Sequence, residues 1–242
     1  MSATPPTTML FERPYTALVF GAGGAIGSAF DEAFQSDPLC QKVVGLSRSK
    51  AIGLDLNSEH SIKDALEQCR AFAPFDVMVD ATGVLTLDGK GPEKSLSSID
   101  ADHMHKIFQI NTFGPALILK HFSGLLSSGP SIYAKLSARV GSIADNKKGG
   151  WYAYRSSKAA FNMVLQSAAL ELQRKNPEVL IMALQPGTVK SNLSQPFAAG
   201  LGELLSPKDS VTGLLKSMKT MRSMPAPSGA CFIDHQGHPI PW

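Results

Sequence analysis

The sequence predicts an α/β protein: a doubly wound parallel sheet of about seven strands with helices on both faces. Three observations carry this expectation. Short apolar runs alternate with longer helix-like stretches from residue 15 onward, the pattern of strands joined by crossover helices. The first apolar run empties into a glycine-rich link that leads at once into a helix-like stretch. The 242 residues are 43% hydrophobic, enough to bury one full core.

Residues 15–20 form the first strand, and residues 25–35 have helical spacing that Asp37-Pro38 stops. Residues 42–46 read as the second strand, and a weak third ends at Leu54. Residues 58–72 are amphipathic, with Ser58 as the expected N-cap. Residues 75–79 are a buried strand. Residues 100–126 are expected as one long helix, kinked at Gly114-Pro115 because proline has no amide hydrogen and crowds the preceding turn. Strands at 131–136, 179–184 and 230–233 alternate with helices at 152–175 and 207–221. Ligands of such sheets bind beyond the carboxyl ends of the strands, so the loops there should carry the site.

Composition narrows the functions. A net charge of +3, with no basic run or stripe, gives no footprint for nucleic acid. Cys40, Cys69 and Cys231 are scattered and odd in number, which fits neither a zinc spacing nor a disulfide framework. A reduced, cytoplasmic setting is the expectation. No apolar run approaches the ~18 residues of a membrane span. Residues 1–14, with Pro5-Pro6 and several threonines, lack the layout of a secretory signal and read as a flexible tail before a single domain at 15–242. The histidines His103 and His105, and His235 and His238, have no further ligands at metal spacing, so no metal is expected.

The first strand ends in Phe20-Gly21-Ala22-Gly23-Gly24-Ala25-Ile26-Gly27. Glycines between a strand and a helix let the backbone approach a pyrophosphate seated on the helix N-terminus. Gly21, Gly23, Gly24, Ala25 and Ile26 are therefore candidate dinucleotide contacts. The second strand ends in Leu46-Ser47-Arg48-Ser49-Lys50, with no acid. A carboxylate at this point suits the ribose 2′-hydroxyl of NAD, whereas a basic residue suits a 2′-phosphate. Ser47 and Arg48 thus favour NADP(H) over NAD(H).

Tyr154 and Lys158 lie four residues apart in a helix-like stretch and share one face. Bringing a phenol pKa from ~10 to about 7 requires roughly 4 kcal/mol of preference for the phenolate. An ammonium about 5 Å away contributes roughly 3 kcal/mol at an effective dielectric of about 20. The pair can do acid–base work at neutral pH on that arithmetic.

Taken together, the glycine loop, Tyr154/Lys158 and the order of elements resemble the short-chain dehydrogenase/reductase family, over nearly the whole chain from Tyr15. Further motifs agree. The family's Asn-Asn-Ala-Gly corresponds to Asp80-Ala81-Thr82-Gly83, its helix asparagine to Asn111, and its Pro-Gly loop to Pro186-Gly187-Thr188-Val189-Lys190-Ser191. Its adenine-reading acid corresponds to Asp55, with Leu56 beside it. The stretch Ser137–Ile143, the Tyr154/Lys158 segment and the ending Pro239-Ile240-Pro241-Trp242 are similar to the C-factor-like branch, which contains small carbonyl reductases and cell–cell signalling proteins.

The resemblance implies a Rossmann fold and hydride transfer between NADP(H) and a small carbonyl or alcohol substrate. Tyr154 would be the acid/base, Lys158 its partner and ribose ligand, and Asn111 the anchor of a proton-relaying water. Ala81, Thr82, Gly83, Pro186, Gly187, Val189 and Ser191 would complete the cofactor site. The family's catalytic serine normally falls at the position of Ala138. Ser137 is the expected substitute, with Ser142 as an alternative. The departure leaves a second reading open, a nucleotide-binding regulatory or signalling relative with little activity. The resemblance also implies a homodimer or homotetramer, associating through the helices that carry Asn111 and Tyr154. The substrate-setting loop, residues 192–206, is mostly apolar or small and has no lysine or arginine, which suits a modest apolar carbonyl compound.

Overall fold

Six parallel strands form one sheet in the computed structural model, which describes residues 10–191 and 204–242. They are β1 (Tyr15–Phe20), β2 (Cys40–Leu46), β3 (Val77–Asp80), β4 (Ser131–Leu136), β5 (Val179–Gln185) and β6 (Cys231–Asp234), in the order β2-β1-β3-β4-β5-β6. The chain leaves β1 toward one edge, then returns to place β3 on the other side of β1. That reversal opens a crevice at the carboxyl ends of β1 and β3.

Alternation along the strands divides the core. Leu18 and Phe20 of β1 join one buried cluster, with Ile62 of α2 (Glu59–Cys69), Phe122 of α4 (Gly114–Phe122) and Phe161 of α5 (Tyr152–Gln173). Ala17 and Val19 join the other, with Phe30 of α1 (Ala25–Gln35) and Leu214 of α6 (Pro207–Arg222). Helices therefore cover both faces of the sheet. Phe20 and Phe122 meet edge to face at 4.8 Å; removing either ring would cost ~3–5 kcal/mol. No helix among the described residues is long and apolar enough to cross a membrane.

Most elements fall where the sequence places them, and Ser58 does cap α2, accepting from the Ser61 amide at 3.2 Å. Three expectations are corrected. The segment ending at Leu54 makes only the isolated bridge Leu46–Ile52, so the described sheet has six strands. Asp55 turns the chain there, accepting from the Asn57 amide at 3.0 Å, before a ladder can extend.

The expected long helix is continuous from α3 (Ala101–Phe108) into α4, but a π-helical turn (Gln109–Phe113) joins the two. The distortion lies one turn before the expected kink. Pro115 cannot donate to the Asn111 carbonyl four residues back, and the wider turn relieves its ring.

Residues 10–14 are packed rather than part of a flexible tail. Leu10 and Phe11 are buried, Arg222 donates to the Leu10 carbonyl at 3.0 Å, and Arg13 pairs with Asp76 at 2.8 Å. Residues 1–9 lie outside the described residues.

Candidate active site

Two cavities flank the glycine loop at the carboxyl ends of the strands. The smaller, about 330 Å³, is walled by Gly21, Gly23 and Gly24, by Ser47 and Arg48, by Asp55 and Leu56, and by Ala81, Thr82 and Gly83. Ile110, unremarked in the sequence, also lines it. The larger, about 670 Å³, takes Ile26 from the start of α1 and Pro186, Gly187, Val189 and Ser191 from the loop after β5. Ser137, Ala138, Trp151 and Tyr154 complete that wall. Of the expected nucleotide residues outside the cavity walls, Ala25 opens α1 and Lys158 is buried behind Tyr154.

The glycines are required by contact. Gly21 has φ +77°, and a Cβ there would lie 3.0 Å from the Ala81 carbonyl carbon. A Cβ on Gly27 would lie 2.1 Å from the Gly21 oxygen, so helix and loop pack backbone to backbone. Gly24, the N-cap of α1, provides no side-chain cap, and the first turn holds no acid. The helix N-terminus is left open to an anion, which fits a dinucleotide pyrophosphate. Lys50 is committed to Asp31 at 3.1 Å. Arg48 is exposed on the wall of the smaller cavity and makes no ion pair among the described residues. Asp55 lines the same cavity while one of its oxygens holds the Asn57 turn.

Tyr154 sits in the first turn of α5. Gly149, Gly150 and Trp151 precede it, all with positive φ, and turn the chain into the helix. Glu93, buried and distant in sequence, fastens this start. Its backbone oxygen accepts from the Trp151 amide at 2.6 Å and its carboxylate from the Ala153 amide at 3.1 Å. An acid at a helix N-terminus is favoured by the helix dipole. Sequence reading missed Glu93, because nothing local to it signals a partner 60 residues away.

Lys158 Nζ lies 5.6 Å from the centroid of the Tyr154 ring and donates to the Leu136 carbonyl at 3.2 Å. Burial pushes the Tyr154 phenol up to about 12. Burial, aided by the charge of Lys135 and opposed by Asp80, pushes Lys158 down to about 7. The expected sense is thus reversed in the protein alone. Desolvation outweighs the attraction between an ammonium and a phenolate and drives both groups toward their neutral forms.

Asn111 is fully buried in the π turn and clamps the loop after β3. Its Oδ1 accepts from the Val84 amide at 2.8 Å; its Nδ2 donates to the Val84 carbonyl at 2.9 Å and to Ser157 Oγ at 3.1 Å. Ser157 Oγ in turn donates to the Tyr154 carbonyl at 2.8 Å. Asn111 is therefore tied to the helix of Tyr154 by its side chain.

The two serine candidates separate. Ser137 lies on the larger cavity, its Oγ donating to Asn162 Oδ1 at 2.7 Å. Ser142 is buried in a turn, accepting from the Asp145 amide at 3.0 Å, and does not line the cavity. Asn162 was not anticipated; its position one turn beyond Lys158 on α5 was the available signal. The cavity wall also carries Arg139, Lys147, Lys148 and Arg155. Residues 192–203 of the expected substrate loop lie outside the described residues.

Comparison with known proteins agrees with this geometry. The sequence profile of the short chain dehydrogenase family matches residues 15–201. The C-signal protein of Myxococcus xanthus is 35% identical over 181 residues, covering 72% of this chain and 99% of that protein. The 1-hydroxy-2-glutathionyl-2-methyl-3-butene dehydrogenase of Rhodococcus sp. (strain AD45) is 32% identical over 191 residues, covering 78% and 79%. Among solved structures, the NADPH-bound carbonyl reductase from chicken fatty liver superposes with a TM-score of 0.79 at 19% identity, over 95% of each chain. The carbonyl reductase Sniffer of D. melanogaster gives 0.80 at 19% identity, over 95% of this chain and 100% of that one. The chain belongs to the short-chain dehydrogenase family of nicotinamide-dependent oxidoreductases.

Proposed function

We propose that the protein transfers hydride between NADP(H) and a small carbonyl or alcohol compound, with Tyr154 as the acid/base. One observation carries this reading. A single cavity brings Tyr154 and Ser137 together with Ile26 of the glycine-loop helix and the Pro186-Gly187 loop.

The nicotinamide, when bound, supplies or accepts the hydride. Gly21, Gly23, Gly24, Ala25 and Ile26 would hold the pyrophosphate at the start of α1. Ser47 and Arg48 would hold the 2′-phosphate, and the unpaired charge of Arg48 supports NADP(H) over NAD(H). Asp55, Leu56, Ala81, Thr82 and Gly83 would enclose the adenosine half. Pro186, Gly187, Val189 and Ser191 would face the carboxamide. In the reductive direction Tyr154 gives its phenolic proton to the developing alkoxide. Ser137 hydrogen-bonds the same oxygen, for which its hydroxyl must leave Asn162. Lys158 holds the ribose and supplies the proton reserve behind Tyr154. Asn111 anchors a water on that route.

A homodimer or homotetramer fits the outer face of this region, where Phe113 of the π turn and Met163 and Leu170 of α5 are exposed. A cytoplasmic setting fits three cysteines that are all free thiols.

A signalling reading is favoured by a separate observation: Ala138 occupies the family's serine position, and the hydroxyl of Ser137 is already taken. The name of the Myxococcus relative is in keeping with it. The deciding experiment follows NADPH oxidation with a panel of neutral and anionic aldehydes, ketones and quinones. Turnover that Tyr154→Phe abolishes supports the oxidoreductase. Tight NADPH binding with no turnover on any member supports the signalling relative.

A further inference from the structure

A lysine and an aspartate are buried in the middle of the sheet, directly behind the site. Lys135 of β4 and Asp80 at the end of β3 are 1% and 0% exposed and pair at 2.9 Å. Lys135 Nζ also donates to the Thr82 carbonyl and, at 3.0 Å, to Thr82 Oγ1. Three acceptors on one nitrogen match the three hydrogens of an ammonium. The same Asp80 oxygen accepts from the Thr82 amide at 2.9 Å and the Thr82 hydroxyl at 2.6 Å. The pair therefore ties the Thr82–Gly83 turn to the sheet.

That turn and β4 both touch Lys158. A Cβ on Gly83, the residue after Thr82, would lie 3.1 Å from Lys158 Nζ. Lys158 Nζ donates to the carbonyl of Leu136, the residue after Lys135. Lys135 Nζ also lies 5.9 Å from the ring centroid of Phe161, on the helix that carries Lys158, so the two lysines meet the same two stretches of backbone from one face of the sheet.

We propose that the Asp80–Lys135 ion pair is a positioning device for Lys158, pinning the Thr82–Gly83 turn against its nitrogen and setting a second positive charge near it. Burying an ion pair gains little stability over an apolar pair of similar volume. Setting the charge of a neighbouring amine is a use that an apolar pair could not serve. The charged and titratable groups around Lys158 are Tyr154 on its own helix, Lys135 on β4 and Asp80 at the end of β3. Tyr133, on β4, stands within the field of Asp80. Asn111 and the Leu136 carbonyl add only uncharged polar atoms.

The proposal takes Lys158 as the lysine of the site but is read without turnover. Protein labelled with ¹³C at lysine Cε is titrated by NMR, and Lys158→Met assigns its resonance. The wild type should show this lysine titrating near the value of about 7 to which its surroundings push it. In Lys135→Met the like charge is gone and the midpoint should rise by about one pH unit or more. In Asp80→Asn/Lys135→Asn, a neutral pair that keeps hydrogen bonds, it should rise by less, since the attraction of Asp80 is lost as well. Should Lys135→Met fail to fold, the double variant carries the test alone. An unchanged Lys158 midpoint in either folded variant overturns the proposal and leaves the pair a structural one. Absence of carbonyl reduction would overturn the proposed function and leave this result intact.

Discussion

Lys158 Nζ stands 5.6 Å from the centroid of the Tyr154 ring, and burial drives the two groups toward a neutral amine beside a neutral phenol. Tyr154 thus holds its proton across the neutral range, as a proton donor must. Tyr154→Phe keeps the ring and removes that proton. NADPH-dependent reduction should fall by about 100- to 10,000-fold, while NADPH affinity measured by fluorescence changes little.

The same shift on Lys158 makes stability depend on pH. Its pKa is lowered from 10.5 to about 7 on folding. Between those values the unfolded chain binds the proton and the folded chain does not, so stability rises with pH through that window. Below about 7 the full cost of burying the ammonium is present. Melting temperature from pH 7 to 10 should therefore climb more steeply, by several degrees, for the wild type than for Lys158→Met. Parallel curves would refute the assignment.

Ser137 and Ala138 both line the larger cavity, and Ser142 does not. Ser137→Ala should lower turnover by ~100-fold or more, the loss expected of a preorganised donor to the developing oxyanion. Ser142→Ala should affect turnover much less. Ala138→Ser, which restores the family's residue, should raise turnover in the wild type and rescue Ser137→Ala. Steady-state rates of the wild type and these four variants decide which position reaches the substrate oxygen.

Arg48 is exposed at the smaller cavity without an ion-pair partner. A charge-assisted hydrogen bond contributes ~1.5–3 kcal/mol, about a tenfold or larger change in affinity. Arg48→Ala should raise the Kd for NADPH by that factor and leave the Kd for NADH nearly unchanged. Titration calorimetry with both nucleotides checks it.

Glu93 caps the helix that begins with Tyr152 through the amides of Trp151 and Ala153. Glu93→Gln should cost ~1–2 kcal/mol, the loss of an anion at a partly buried helix N-terminus, and lower the melting temperature. Because Tyr154 sits in that first turn, kcat should fall while the Kd for NADPH holds.

What the sequence determined is local or patterned. The order of strands and helices, the glycine loop at the head of α1 and the shared face of Tyr154 and Lys158 all depend on backbone geometry repeated within a few residues. Those features were legible for that reason. Tertiary packing alone decided the rest. It set Glu93 under Trp151, Lys135 against Asp80 and Asn162 against Ser137, pairs separated by tens of residues with no local signature. It fixed Asn111 of the π turn against Val84 and Ser157, 27 and 46 residues away. It also reversed the sense of the Tyr154/Lys158 pair. Spacing along a helix fixes the distance between two charges, but the cost of removing them from water depends on everything folded over them.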